Sequence, residues 1–382
     1  MKKHAEAVVI GGGINGVAIA YNLAKRGLKD VVLLERNFLA SGSTGRCGAG
    51  VRCQWGTKMN CLLSKASIKF FENINEELGY EGDCEFKQGG YLLLATTEKE
   101  VDQFKKNIVL QNSLEIPSKF ITTDEAKEIV PYLNTDGIIA AAFCEKDGHA
   151  NPFIVVDAFA NAARRLGVEI NTFTEVTGIK TENGRVVGVV TNKGEIETNR
   201  VINAAGGFSQ VIAQMAGVDI PNYSERHQIL VTEPVNPVLG PMVMSFSLNL
   251  YIQQTPNGSF IMGYGDPNEP HGYEMGSSWD FLEVMSKKAV SLLPPLKDLR
   301  VIRQWAGLYN MTPDRQPILG GYPGLQGYYM AVGFSGHGFM LGPITGILMA
   351  QYILGEETSI DITRLDAGRF ERGELVLEPS VV

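Results

Sequence analysis

Three glycines, Gly11, Gly13 and Gly16, with an acid at Glu35, form the arrangement in this sequence best suited to holding a charged ligand. In a Gly-x-Gly-x-x-Gly run the first glycine permits a tight turn, the second lets the backbone approach a pyrophosphate, and the third lets a helix pack closely on a strand. The amides of the helix start then face the anion. Ile14 and Asn15 fall at that helix start, and Glu35 follows Gly16 by 19 residues, the separation at which an acid reaches ribose hydroxyls. The fingerprint serves nicotinamide and flavin dinucleotides alike.

These residues need a strand, a turn and a helix to carry them. Residues 7–10 are apolar, and beyond the glycines Gly16, Ala20, Leu23, Ala24 and Gly27 share one helical face. Gly27 reads as a left-handed cap, and 31–35 as a buried strand ending in the acid, so the first 35 residues form a βαβ unit. From 37 to 56 the chain is rich in serine, glycine, threonine, arginine and cysteine, a loop that carries function instead of packing. Helices are predicted over 57–78, 123–129 and 153–166. Strands are predicted over 86–96 and within 169–198, where Glu182-Asn183-Gly184 and Asn192-Lys193-Gly194 mark hairpins. Small residues after the apolar run 201–203 suggest backbone pressed against a ligand or a neighbouring strand. Further strands are predicted at 228–232, 250–254, 260–263 and 328–332, then a glycine-rich turn and a helix over 343–354.

At 382 residues the chain is long enough for two or three domains of roughly 100 to 200 residues each. Its 34 basic and 42 acidic residues leave a net charge of −8, which gives no footprint for nucleic acid or an anionic membrane. Five cysteines, at 47, 53, 61, 84 and 144, show no Cys-x-x-Cys spacing and no clustered histidines, so no metal site is expected and a reducing, cytoplasmic setting fits. Lys2 and Lys3 before an apolar stretch imitate a secretory leader, but Gly11-Gly12-Gly13 interrupts that stretch and no cleavage site closes it, so it reads as part of the fold. No apolar run reaches 18 residues, so no membrane span is expected, while peripheral association stays open. The 43 glycines, about 11% where roughly 7% is usual, call for many close backbone approaches.

The fingerprint, the loop 41–50, the run 201–206 and the turn Gly333-Phe334-Ser335-Gly336-His337-Gly338 together resemble the FAD-dependent amine and amino-acid oxidoreductases, the family of D-amino acid oxidase, glycine oxidase and sarcosine oxidase. The resemblance covers nearly the whole chain. It is most specific at Gly42-Ser43-Thr44 before Arg52, at Trp305-Ala306-Gly307-Leu308, at Met311-Thr312-Pro313-Asp314 and at the 333–338 turn. Within the family the chain is most similar to the β subunits of heteromeric sarcosine oxidase and of dye-linked L-proline dehydrogenase. The resemblance implies FAD held by Gly11, Gly13, Ile14, Asn15, Gly16, Glu35, Arg36, Ser43, Thr44, Val176, Ala205, Gly206, Gly307, Gly333, Gly336, His337 and Gly338. The 333–338 turn suits a flavin physically, because free N–H groups at a helix start stabilise the negative charge that reduction places at N1 and the C2 carbonyl. His337 is as well read as a packed histidine. Gly307 stands where monomeric sarcosine oxidases carry the cysteine that binds FAD covalently, and Ile261 where they carry an oxygen-activating lysine. These departures point to a noncovalent flavin and to a dehydrogenase.

An amino-acid substrate brings a carboxylate, best matched by an arginine fork. Arg52, just past the flavin loop, is the candidate; Arg46 is the runner-up and could equally face a phosphate or solvent. Tyr309 stands where glycine oxidase-like members carry an arginine, and Met340 where sarcosine oxidase-like members carry a lysine, which leaves the substrate's identity open. His227 and Tyr251 fall at positions that line the substrate cavity in related proteins, or are satisfied core residues. Cys47 and Cys53 read as small buried side chains.

The fold expected is α/β: a Rossmann-like FAD-binding domain (1–80, 142–222 and 305–382) with an inserted α+β substrate domain dominated by an antiparallel sheet (81–141 and 223–304). The function implied is a dehydrogenase that oxidises the C–N bond of a secondary amino acid, foremost L-proline to pyrroline-5-carboxylate, as the catalytic β subunit beside a second, α subunit that carries electrons onward. The alternatives are a sarcosine or glycine oxidase and a flavin-bearing subunit without turnover. An FMN at the subunit interface is also implied, noncovalent because Pro152 stands where heteromeric sarcosine oxidase has its tethering histidine.

Overall fold

The computed structural model describes residues 1–380, so positions 381 and 382 of the expected 305–382 segment lie outside it. The first sheet grows from β1 (Ala7–Ile10), α1 (Ile14–Lys25) and β2 (Val31–Leu34). Every residue of the two strands is buried, as befits apolar runs in a parallel sheet covered on both faces. β1 pairs in parallel with β2 on one side and with Val201–Asn203 on the other. Tyr328–Val332 and Glu169–Asn171 extend the parallel order, and Ile318–Gly321 closes one edge antiparallel.

Side chains alternate across this sheet. Ala7 and Val9 join the core built by α1 and the helices Pro152–Arg165 and Gly338–Leu354, while Val8 and Ile10 join the core under the antiparallel strands Val176–Glu182, Arg185–Thr191 and Gly194–Glu197. The loop that ends β1 is thus gripped between two cores, which is what holds a glycine turn still.

The second sheet runs in spatial order Val301–Met311, Tyr223–Thr232, Phe260–Tyr264, Leu250–Gln254, Met242–Ser245, Tyr91–Ala95, Ala140–Cys144 and Lys119–Ile121. All its pairings are antiparallel except that of Met242–Ser245 with Tyr91–Ala95. One face packs on the helix Trp279–Leu292 through Phe281, Met285 and Ala289. The other carries Tyr91, Met242 and Met244 and meets the helix Glu98–Ser113. A Rossmann-like parallel sheet beside a mainly antiparallel one is the α/β arrangement expected.

Several elements differ from the sequence reading. The closing helix begins at Gly338, with Pro343 inside its second turn, so the glycine turn itself and not the proline starts it. The strand expected over 86–96 contracts to Tyr91–Ala95, because Gly90 takes φ +87 just before it. The helices Glu98–Ser113 and Trp279–Leu292 and the strand Val301–Met311 were not anticipated. The borders expected at 141/142 and 304/305 fall inside the strands Ala140–Cys144 and Val301–Met311, so sheet continuity argues for moving them to 144 and 311. No helix among the described residues is long and apolar enough to cross a membrane.

Candidate active site

The glycine fingerprint works through close contact. Gly11 takes φ +116, and a Cβ on it would stand 2.3 Å from the Ala204 carbonyl oxygen; on Gly16 it would stand 1.9 Å from the Gly11 carbonyl oxygen. Any larger residue would push the turn away from its neighbouring strand or from α1. Glu35 is fixed at the end of β2 because its carboxylate accepts from Gly12 N–H at 2.8 Å and from Asn37 N–H at 2.8 Å. The Thr44 hydroxyl accepts from Ile14 N–H at 3.2 Å, and Asn15 Nδ2 donates to the Gly338 carbonyl at 3.3 Å, which joins the first glycine turn to the second.

These groups border a cleft of about 470 Å³, within the range of small-molecule sites. Of the residues expected to hold a cofactor, all but Gly16, Gly307, Gly333 and His337 line it. Gly16 acts beneath the turn. Gly307 packs where a Cβ would lie 3.1 Å from Cβ of Arg46, and Leu308 lines the cleft in its stead. Gly333 donates its N–H to Asn310 Oδ1 at 2.7 Å, so it shapes the second turn without offering a free donor. At the mouth the Arg36 guanidinium lies 3.7 Å above the Phe208 ring, which stacks on Tyr273 at 5.0 Å.

The cleft fits a flavin dinucleotide. Its fingerprint glycines leave no Cβ against the turn, and an acid stands at the end of β2. The N–H groups of Gly336, Gly338 and Phe339, which line it, have no acceptor among the described residues; the first helical bond is Leu341 N–H to the His337 carbonyl at 3.1 Å. Unpaired donors on a cleft wall call for a ligand acceptor. Asn15 Oδ1 is likewise buried without a partner.

Cys47, Tyr309, Ser335, Gly336 and Phe339 also line a second cavity, of about 90 Å³, so the two adjoin. Arg52, Tyr91, Met242, Met244, Tyr251 and His337 complete much of its wall. Arg52 is 2% exposed. Its Nη1 donates to the Gln54 carbonyl and its Nη2 to the Ser380 carbonyl, each at 2.6 Å, with the guanidinium 3.8 Å over the Trp55 ring. No carboxylate among the described residues pairs with it. Arg46, by contrast, donates to the Ser41 and Ala306 carbonyls and pins the loop to Val301–Met311.

The rest of the small cavity is neutral. Burial pushes the Tyr91, Tyr251 and Tyr309 hydroxyls above the ordinary tyrosine range. Burial, with Arg52 and Arg315 nearby, pushes His337 down to about 3, and its ring meets Trp55 edge-on at 4.5 Å. Arg52 is the one charged side chain among the residues lining the cavity.

His227 lines neither cavity. It is stacked at 4.3 Å on Tyr309 and at 5.8 Å on Tyr251, three parallel rings across the second sheet, and burial pushes it down to about 4. Gly263 makes the stack possible, since a Cβ there would meet the Tyr251 hydroxyl at 2.7 Å. Tyr251 itself faces the cavity, and Ile261, two residues from Gly263 on the same face of its strand, lines neither. Sequence reasoning missed Tyr91, Met242 and Met244. Nothing local distinguishes them from core residues, and only the sheet's register brings them opposite Arg52.

The cysteines differ from expectation in one respect. Cys53 and Cys144 bring their sulfurs to 3.8 Å, and the buried Asp147 accepts from both the thiol and the N–H of Cys53, at 3.0 and 2.7 Å. Gln54 donates to its other oxygen at 2.9 Å. This group is hydrogen-bonded within itself. Cys47, on the cleft wall, has its thiol pushed up to about 12 by burial.

The profile of the FAD dependent oxidoreductase (DAO) family matches residues 6–352. The chain is 31% identical over 382 residues to the sarcosine oxidase subunit beta of Rhodobacter capsulatus, covering 99% of this chain and 91% of the relative. It is 32% identical over 383 residues to the corresponding subunit of an Arthrobacter species, covering 99% and 94%. Among solved structures, L-proline dehydrogenase from P. horikoshii is 42% identical and superposes with a TM-score of 0.94 over 98% of this chain and 100% of that one.

Proposed function

The chain belongs to the FAD dependent oxidoreductase family, and from that premise we propose that it oxidises the C–N bond of a secondary amino acid, L-proline to pyrroline-5-carboxylate before any other. The observation that carries this is Arg52: a buried guanidinium with no carboxylate partner among the described residues, on the wall of a small, otherwise neutral cavity that adjoins the dinucleotide cleft. A buried unpaired charge is expensive. A substrate carboxylate supplies what the site lacks, as a charge-assisted, bidentate pair. FAD, when bound in the cleft, would supply the two-electron acceptor that oxidation of the C–N bond requires.

The chain's own residues do the rest. Arg52 anchors the carboxylate and so fixes which carbon faces the cleft. Tyr251 and Tyr309, held by His227, give that end rigid aromatic walls, while Met242 and Met244 make its lining apolar and limit water. Glu35, the α1 start and the unpaired N–H groups at 336–339 hold the dinucleotide. His337 stays neutral and the tyrosines stay protonated, so none of the described residues lining the cavity is suited to take the ammonium proton at neutral pH. The substrate therefore reacts as the neutral amine, having lost that proton to solvent.

The proline reading rests on the likeness to the P. horikoshii enzyme, and sarcosine, favoured by the two β-subunit relatives, is the second reading. Those relatives also support a place as one subunit of a larger complex, in which a partner carries electrons away. Gly307 supports noncovalent FAD, and dehydrogenase behaviour is proposed from the likeness to the P. horikoshii enzyme. The interfacial FMN finds no support and forms no part of the proposal. A cytoplasmic setting is proposed from the five free thiols alone. A dye-linked assay with L-proline, sarcosine, glycine and dimethylglycine tests the reading. L-Proline should give the highest kcat/KM, and turnover with oxygen should be far slower than with the dye. A preference for sarcosine would replace the substrate, and equal turnover in oxygen would replace the dehydrogenase by an oxidase.

A further inference from the structure

Arg52 has two hydrogen-bond partners among the described residues, and one of them comes from far along the chain: the carbonyl of Ser380, 328 residues away. The segment that delivers it belongs to no helix or strand. Val376, Glu378 and Ser380 are buried, while Leu375 and Leu377 between them are exposed, Leu377 to 70%. That alternation turns Glu378 and Ser380 inward beside Val376 and leaves the leucines outward, so little apolar surface holds the segment. Hydrogen bonds hold it instead.

Each inward residue has a built partner. Val376 N–H donates to Asp314 Oδ2 at 3.2 Å, the same carboxylate that forms the fully buried pair with Arg369. Glu378 accepts from Gly56 N–H at 2.7 Å, Thr57 N–H at 3.1 Å, the Thr57 hydroxyl at 2.7 Å and Asn60 Nδ2 at 2.9 Å. Its carboxylate thereby sits at the positive start of the helix Lys58–Glu72, six residues after Arg52. The Ser380 hydroxyl accepts from Asn107 Nδ2 at 2.8 Å. Gly56 is fitted to the segment too: a Cβ on it would lie 2.3 Å from Cγ of Pro379.

We propose that segment 376–380, anchored by Glu378 on the residues that follow Arg52, is a positioning element that holds the Arg52 guanidinium in the orientation that receives the substrate carboxylate. The inference rests on the reading of Arg52 as the carboxylate anchor. Fixing Nη2 to the Ser380 carbonyl and Nη1 to the Gln54 carbonyl leaves the remaining N–H groups of the fork as a preorganised donor set. Without the segment the guanidinium keeps its charge and its place over Trp55 but loses its angular restraint. Affinity for carboxylates should suffer while FAD binding does not.

The test uses FAD-loaded protein and pyrrole-2-carboxylate, an unreactive carboxylate, titrated by its perturbation of the flavin spectrum, with pyrrole as the carboxylate-free control. Gly56→Ala displaces Pro379, Glu378→Gln weakens the anchor mildly, and Leu377→Ala alters only the outer face. The expected result is a tenfold or greater rise in Kd for pyrrole-2-carboxylate in Gly56→Ala, a smaller rise in Glu378→Gln and none in Leu377→Ala, with pyrrole binding unchanged throughout. If Arg52→Ala abolishes the preference for the carboxylate while Gly56→Ala and Glu378→Gln, folded and flavin-loaded, bind as the wild type does, the positioning role is refuted and the reading of Arg52 survives. If Arg52→Ala itself has no effect, both fall together.

Discussion

Replacing Arg52 by alanine should separate binding of the substrate's carboxylate from everything else the protein does. The guanidinium is 2% exposed and faces a cavity whose other lining groups are neutral, so a carboxylate reaching it forms a desolvated ion pair. Truncating one partner of such a pair costs about 2 to 5 kcal/mol. At 1.36 kcal/mol per factor of ten in rate, that is a loss of about 30-fold to about 5,000-fold in kcat/KM. Arg52→Lys should fall between, since a lysine keeps the charge but not the fork. The assay compares L-proline with pyrrolidine, the same ring without the carboxylate, using a dye as acceptor. The wild type should favour proline by the full factor, and Arg52→Ala should lose most of that preference while its rate with pyrrolidine stays near that of the wild type. FAD content, read from the bound flavin spectrum, should not change, because Arg52 does not line the dinucleotide cleft. Equal proportional losses on both substrates would mean that Arg52 supports the fold and does not touch the carboxylate.

Gly16→Ala should purify with little FAD or fail to fold, because its Cβ would lie 1.9 Å from the Gly11 carbonyl oxygen; a normal flavin content would contradict the packing described. Acid precipitation of the loaded protein should leave the flavin in solution, as expected with glycine at 307 and a thiol at Cys47 pushed up to about 12, and flavin in the pellet would overturn noncovalent binding. His227 is held neutral, pushed down to about 4 from an ordinary 6.5, so its contribution to stability is complete above pH 6.5 and is lost as pH falls through 4. That shift is worth about 3 kcal/mol. His227→Phe keeps the ring stack without the titration, and its urea midpoint should fall less than the wild type's between pH 7 and pH 4; parallel curves would show that His227 is not desolvated.

How far the sequence reached depended on whether a residue's role is local. The βαβ unit, Glu35 and the second glycine turn were legible because strand, turn, helix and acid follow one another within 35 residues, and each glycine has a steric reason visible in its spacing. Arg52 was reached through the resemblance, and the structure adds that no carboxylate among the described residues pairs with it. The helix Glu98–Ser113 could have been found: Thr97 and Glu100 form a reciprocal capping box, the pattern that announces a helix start. Pro343 misled because proline favours the first helical position, whereas here Gly338 starts the helix and the proline is carried inside it. Tyr91, Met242 and the 376–380 segment were beyond reach. Their roles arise from pairings across 37 to 328 residues, as in the bonds from Gln54 to Tyr91 and from Arg52 to Ser380, which no local pattern records.

The account stands most directly on one anaerobic titration. FAD-loaded protein mixed with L-proline in the absence of oxygen and dye should lose its oxidised-flavin absorbance in a single turnover, one equivalent of proline per flavin, with pyrroline-5-carboxylate as product and the rate rising with pH as the amine becomes neutral. A flavin that stays oxidised with L-proline, sarcosine and every other secondary amino acid tried would contradict the proposed oxidation at this site.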